Sequence, residues 1–155
     1  MKAIGFDLPG VDGKRHSVDS ARGPNGLVVM FICNHCPYVK RVLDRIVRDC
    51  GELAKRGVGS IAVMSNDPAD YPEDSFPNMQ RLAREKAFPF PYVVDESQEI
   101  ARAYDAVCTP DFYGFDAGLE LRYHGRLDEL LEAMTGKPPA KPINSMGCSI
   151  KWKKE

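Results

Sequence analysis

An unbroken apolar run, Leu27-Val28-Val29-Met30-Phe31-Ile32, leads straight into Cys33-Asn34-His35-Cys36, and an amphipathic segment follows at once. A continuous apolar run is the pattern of a strand buried on both faces. Val39, Val42, Leu43, Ile46, Val47, Cys50, Leu53 and Ala54 recur at spacings of three and four, which predicts a helix closed by Gly57 at its C′ position. A buried strand, a cysteine pair and a helix in immediate succession leave few architectures open.

The flanking segments narrow them further. Asp12-Gly13, between Phe6-Asp7-Leu8 and His16-Ser17-Val18, predicts a hairpin with a primed turn. Ser60 to Met64 reads as a second buried strand and Tyr92-Val93-Val94 as a third, after a Phe88-Pro89-Phe90-Pro91 stretch that no helix tolerates. A helix is expected over about 76–86, and another on Ile100, Ala101, Tyr104 and Val107. Phe112 to Phe115 and Leu119 to Tyr123 form strands about the turn Asp116-Ala117-Gly118, and a last helix covers about 127–134. Hairpin, then β-α-β-α-β-α-β-β-α, is an α/β order: a central mixed sheet with helices on both faces and an N-terminal hairpin extension. The 155 residues suit one domain, 1–155, with 1–26 as the extension and 137–155 as a C-terminal tail packed on it.

Charge excludes some partners. Lys plus Arg number 21 and Asp plus Glu 22, so no nucleic-acid or anionic-membrane footprint is expected. The run from Leu27 to Cys33 is far short of the ~20 residues of a membrane span, and Met1 to Asp7 lacks the apolar region of a signal peptide. The expected location is cytoplasmic. In a reducing compartment five cysteines point to chemistry or metal and not to a disulfide scaffold.

Cys33 and Cys36 carry that chemistry. Two intervening residues at the start of a helix bring both sulfurs to one face, close enough to bridge. The helix N-terminus and His35 are expected to favour the thiolate on Cys33, leaving Cys36 as the resolving thiol of higher pKa. Pro37 is tolerated because first-turn N–H groups have no intrahelical partner. The bland alternatives are two inert packed thiols or half of a zinc site, but only three histidines, 16, 35 and 124, and no second CxxC are present to complete one.

Strand–CxxC–helix followed downstream by Thr109-Pro110 resembles the thioredoxin fold. Phe6-Asp7-Leu8-Pro9 with Asp12-Gly13-Lys14 is similar to the opening of its larger branch, which holds the peroxiredoxins of the AhpC/TSA type and the TlpA/ResA-type oxidoreductases. Asn34 to Val39, Ser65-Asn66-Asp67-Pro68, Tyr71 to Ser75, Cys108 to Asp111 and Gly147 to Trp152 resemble a bacterial subgroup of thioredoxin-like proteins, across nearly the whole chain. The resemblance implies a cis Pro110 packed against the Cys33–Cys36 pair, with Thr109 offering its backbone to an extended substrate segment. Asn34, Thr109 and Pro110 are then the substrate-binding candidates, and Cys33, Cys36 and His35 the catalytic ones. Ile32 precedes the motif and Asn34-His35 fill it, where thioredoxin has Trp and Gly-Pro. Gly26 and Met30 stand where peroxiredoxins place the Pro and the Thr or Ser that position peroxide.

Cys50 lies on the apolar helix face and reads as packing. Cys108 and Cys148 are candidate accessory thiols: Cys108 to resolve a mixed disulfide, bind metal or do nothing, Cys148 to resolve, to pair with Cys108, or to sit in a tail anchored by Ile150 and Trp152. Asp67, Asp70, Glu73 and Asp74 fit no cation-loop template, and Asp74 or Ser75 is expected to cap the next helix. The expected activity is thiol–disulfide exchange, without cofactor or bound metal, with a redox partner protein or a low-molecular-weight thiol or disulfide. A peroxidase using Cys33 is the runner-up, and a Cu or Zn carrier using Cys33, Cys36 and either Cys108 or His35 the third reading. A monomer or weak homodimer is expected.

Overall fold

The predicted hairpin about Asp12-Gly13 forms and pairs β1 (Asp7–Pro9) antiparallel with β2 (Arg15–Ser17), but its turn is not primed: Asp12 keeps a negative φ, the Gly13 N–H donates to the Gly10 carbonyl at 3.1 Å, and Gly13 alone turns left-handed, at φ +79°. The fold is seen in a computed structural model that describes residues 1–136 and 144–154, so 137–143 and 155 of the expected tail lie outside the described residues. Ser17 caps the short α1 (Val18–Ala21), its hydroxyl accepting from the Ser20 N–H. Then come β3 (Gly26–Phe31), α2 (Pro37–Lys55), β4 (Val58–Met64), α3 (Phe76–Glu85) and β5 (Tyr92–Val94). The second half holds α4 (Glu99–Ala103), β6 (Cys108–Thr109), β7 (Asp111–Phe115), β8 (Leu121–Gly125), α5 (Leu130–Thr135) and β9 (Cys148–Ser149).

The central sheet has the order β5-β4-β3-β7-β8; β3, β4 and β5 run parallel and β7 and β8 antiparallel, which makes it mixed. Every residue of β3 is buried, as a doubly covered strand requires. Its side chains alternate between two cores. Val28 and Met30 face the layer of α2, α3 and α5, with Leu43, Ile46, Met79 and Leu130. Leu27, Val29 and Phe31 face α1 and α4, with Val18 and Ala101. The fold is thioredoxin-like α/β, with helices on both faces.

Three further expectations are corrected. The fourth helix stops at Ala103: Tyr104 leaves it to pack on Phe31, ring centroids 5.6 Å apart, and Asp105 turns left-handed at φ +56°. Val107 therefore lies off the helix and is exposed, on the approach to β6. The strand expected from Leu119 starts at Leu121, because Leu119, at φ +62°, belongs to the turn and donates its N–H to Asp116. The last helix opens as a 3₁₀ turn over Leu127–Glu129. The antiparallel pairing of β6 with β9 was not anticipated at all. It needs close backbone approach: a Cβ on Gly147 would meet the Thr109 carbonyl oxygen at 1.8 Å.

Candidate active site

At the end of β3 the chain turns through Cys33 to Cys36 into α2, with Cys36 just outside the helix and Pro37 in its first turn. Both cysteines are free thiols and buried, 1% and 0% exposed, so exposure does not tell attacking from resolving sulfur. The Cys36 N–H donates to Cys33 Sγ at 3.3 Å. Across the site the Thr109–Pro110 peptide is cis, as expected. Thr109 Oγ1 lies 3.4 Å from Cys33 Sγ, and the Cys36 thiol donates to the Thr109 carbonyl at 3.5 Å. Thus Cys33, Cys36, Thr109 and Pro110, distant in sequence, meet at one place.

Asp74 belongs to this site and was missed. Ser75 caps α3, as one of the two residues foreseen, its hydroxyl accepting from the Asn78 N–H at 3.4 Å. Asp74, fully buried, turns the other way, into the CxxC loop. Its Oδ1 accepts the N–H groups of Asn34 at 2.8 Å and His35 at 3.2 Å. Its Oδ2 accepts from Asn66 Nδ2 at 2.9 Å and bonds His35 Nδ1 at 2.5 Å. A carboxylate whose two oxygens gather four nitrogens fixes the loop and the imidazole plane together. Tyr71 stacks on the other face of His35, centroids 4.9 Å apart. Asn34 donates from Nδ2 to the Glu73 carbonyl at 2.9 Å and accepts from Tyr92 OH at 2.8 Å. Its amide braces the loop, a use beyond the substrate contact expected of it.

The AhpC/TSA family pattern matches residues 1–124. The chain belongs to the AhpC/TSA family. Among solved structures, an uncharacterized conserved protein from Geobacillus kaustophilus is 42% identical, with TM-score 0.92 over 100% of this chain and 92% of its own. A hypothetical protein from Sinorhizobium meliloti is 29% identical, with TM-score 0.93, covering 100% of this chain and 94% of that one. A thioredoxin-family thiol:disulfide interchange protein from Chlorobium tepidum shares the fold at 21% identity and TM-score 0.66, over 80% of this chain and 83% of its own. No curated protein matches the chain.

In this AhpC/TSA protein the two buried sulfurs ionise as a pair that holds one negative charge. Their mutual contact lowers the first ionisation, at about 4, and Cys148 and the Val39 N–H in the first turn of α2 help. The second is pushed far up by the same contact, and burial and the buried Asp74 carboxylate near Cys33 add to the rise. Sequence placed only the helix end and His35 near Cys33, whereas the fold sets a carboxylate there too. The thiolate ultraviolet absorbance of the reduced protein is therefore expected to persist at neutral pH and to disappear only as pH falls through about 4. A titration midpoint near the ordinary thiol value of 9.0 would contradict this arrangement.

The other cysteines separate by place. Cys50 is core on the α2 face, its thiol pushed up to about 12 by burial. Cys108 opposes Ser149 in the β6–β9 ladder, whereas Cys148 opposes Thr109 and packs against the cluster that holds Cys33 and Cys36. Neighbouring residues of a strand point to opposite faces, so the ladder turns Cys148 toward the CxxC site and Cys108 away. Ile150 is buried and Trp152 lies under Arg102, with the guanidinium 4.2 Å from the ring, as an anchor should. For a metal, ligand atoms of Cys33, His35 and Asp74 lie within 4.8 Å of one another. That set includes a hard carboxylate and differs from the thiolate-rich sets that suit soft ions.

Proposed function

We propose that this protein is a thiol–disulfide oxidoreductase that cycles Cys33 and Cys36 between dithiol and disulfide. The observation that carries the reading is the convergence of both sulfurs on Thr109 beside the cis proline, at 3.4 and 3.5 Å. With the pair's proton on Cys36, whose thiol donates to the Thr109 carbonyl, Cys33 is the thiolate, held by the Cys36 N–H. Cys33 then attacks one sulfur of a substrate disulfide and the other substrate sulfur leaves as a thiolate, which is protonated. Cys36 gives its proton to the departing substrate thiolate and then attacks Cys33 of the mixed disulfide, releasing the second substrate sulfur as a thiolate that is protonated from solvent. The Cys36 N–H and the Thr109 hydroxyl are placed to stabilise charge as it develops on Cys33. Electrons come from or go to a dithiol partner, so the reaction needs no prosthetic group.

The positions that position peroxide in peroxiredoxins favour exchange over peroxidase chemistry. Met30 is buried in the core, and Gly26, at φ +146°, packs so closely on Phe115 that a Cβ would meet its carbonyl oxygen at 2.3 Å. A protein partner fits the surface. Of the exposed large apolar side chains among the described residues, Tyr38, Val107 and Met146 all stand within two residues of the CxxC helix start, β6 or β9. Tyr38 and Met146 line one cleft with Pro110, where a partner segment would dock. Replacing Cys36 with Ser removes the resolving step, so mixed disulfides through Cys33 accumulate and partner proteins are recovered with the variant. Recovery of none from cells, with wild-type folding intact, would overturn the reading.

A further inference from the structure

The edge of Thr109 that the family resemblance reserves for substrate is already taken by the chain itself. β9 pairs antiparallel with β6 in the register Cys108↔Ser149 and Thr109↔Cys148. The Ile150 N–H donates to the Val107 carbonyl at 2.9 Å. Hydrogen-bonded pairs in an antiparallel ladder recur every second residue, which makes Thr109↔Cys148 the next such pair. Cys148 thus stands where a bound substrate strand would present a cysteine, packed against the cluster that holds Cys33 and Cys36.

The segment after it is firmly held. The Lys151 N–H donates to Asn66 Oδ1 at 2.9 Å, and its carbonyl accepts from the Asp67 N–H at 2.8 Å and from Gln98 Nε2 at 2.9 Å. The Lys153 N–H donates to Gln98 Oε1 at 2.9 Å, and Ser145 Oγ on the other side donates to Asp111 Oδ1 at 2.5 Å. Asn66 also holds Asp74, so one side chain links the tail to the CxxC loop.

We propose that Cys148 is a third redox-active thiol of this protein, exchanging internally with the Cys33–Cys36 disulfide while β9 occupies the substrate edge. The inference rests on the oxidoreductase reading for the formation of that first disulfide. Cys148, as thiolate, attacks the Cys36 sulfur; the Cys33–Cys36 bond breaks, the Cys36–Cys148 bond forms, and Cys33 leaves as a thiolate that takes up the proton Cys148 gave to solvent. The step conserves electrons and needs no further oxidant. Attack falls on Cys36 because both sulfurs belong to the same face of Thr109: Cys148 pairs with Thr109, and Cys36 Sγ lies 3.5 Å from the Thr109 carbonyl oxygen. In the product, β9 is covalently fastened across Thr109 and Cys33 is a free thiol, so the oxidised protein exists in two forms, one of them closed to an incoming strand.

The test is disulfide mapping of the full-length protein oxidised with oxidised glutathione, quenched by alkylation and digested with trypsin. Cys33 and Cys36 share a tryptic peptide, so their disulfide is an internal loop, whereas a bond to Cys148 joins two peptides. The expected result is both species in the wild type, complete loss of the cross-linked peptide in Cys148→Ser, and quantitative Cys36–Cys148 linkage in oxidised Cys33→Ser. A Cys33–Cys36 loop with Cys148 fully alkylated, together with no Cys36–Cys148 bond in Cys33→Ser, would overturn this inference and leave the oxidoreductase reading standing. Absence of any disulfide at Cys33 or Cys36 would overturn both.

Discussion

Asp74→Asn is expected to destabilise the reduced protein by about 3 kcal/mol, a fall of roughly 6–12 °C in melting temperature for a chain of this size. The wild-type carboxylate is fully buried and satisfies Asn34 N–H, His35 N–H, Asn66 Nδ2 and His35 Nδ1 at once. An amide offers one oxygen in place of two and turns its own NH₂ toward donors. At least two of the four groups then lose their acceptor inside the protein, at about 1–3 kcal/mol each. The same change removes a charge that raises the Cys33 thiol, so that thiol should ionise more readily although the fold is weaker. Ser75→Ala, one residue on, removes only a helix cap and should cost about 1 kcal/mol. Thermal unfolding with thiol titration on both variants separates the cases. An Asp74→Asn protein as stable as wild type would mean the carboxylate does not hold the loop.

Cys33→Ser is expected to abolish disulfide exchange, a loss on the order of 10³-fold or more, because serine at neutral pH is neither ionised nor able to form the mixed disulfide. Cys50→Ala is the matching control. That thiol is buried on the α2 face beside Ile46 and Leu53, and its loss should cost about 1 kcal/mol of packing and leave the exchange rate within about twofold. Exchange kinetics with a disulfide-bonded peptide read both. Residual exchange in Cys33→Ser above a tenth of the wild-type rate would move the attacking role to another cysteine.

The elements most legible from sequence were those whose fate is decided locally. Leu27 to Ile32 had no polar residue to place at a surface, so a doubly buried strand followed, and the heptad-like spacing from Val39 to Ala54 left α2 little freedom. Local punctuation set the hairpin at Asp12-Gly13 and the break at Phe88 to Pro91. Cys33 and Cys36 were legible because the motif and its helix are contiguous; Thr109-Pro110 needed the family resemblance. What escaped depends on partners far along the chain. Val107 fits a helical spacing, but Tyr104 is drawn off the helix by Phe31 and Ile4 and takes the chain with it. Asp74 sits in a polar stretch with other acidic residues, and nothing near it shows that its side chain bonds residues 34 and 35. The rise that its carboxylate adds to the Cys33 thiol was hidden with it. Cys148 looked like a tail residue because its neighbour, Thr109, lies in another strand.

The most direct test of the central claim is stopped-flow mixing of the fully reduced protein with a disulfide-bonded peptide in one arm and hydrogen peroxide in the other, read by Trp152 fluorescence and product mapping. Fast, saturable reaction with the peptide, ending in oxidised Cys33–Cys36 while peroxide reacts slowly, is the predicted result. Rapid peroxide consumption through a Cys33 sulfenic acid, with the peptide disulfide untouched, would contradict it and make the protein a peroxidase.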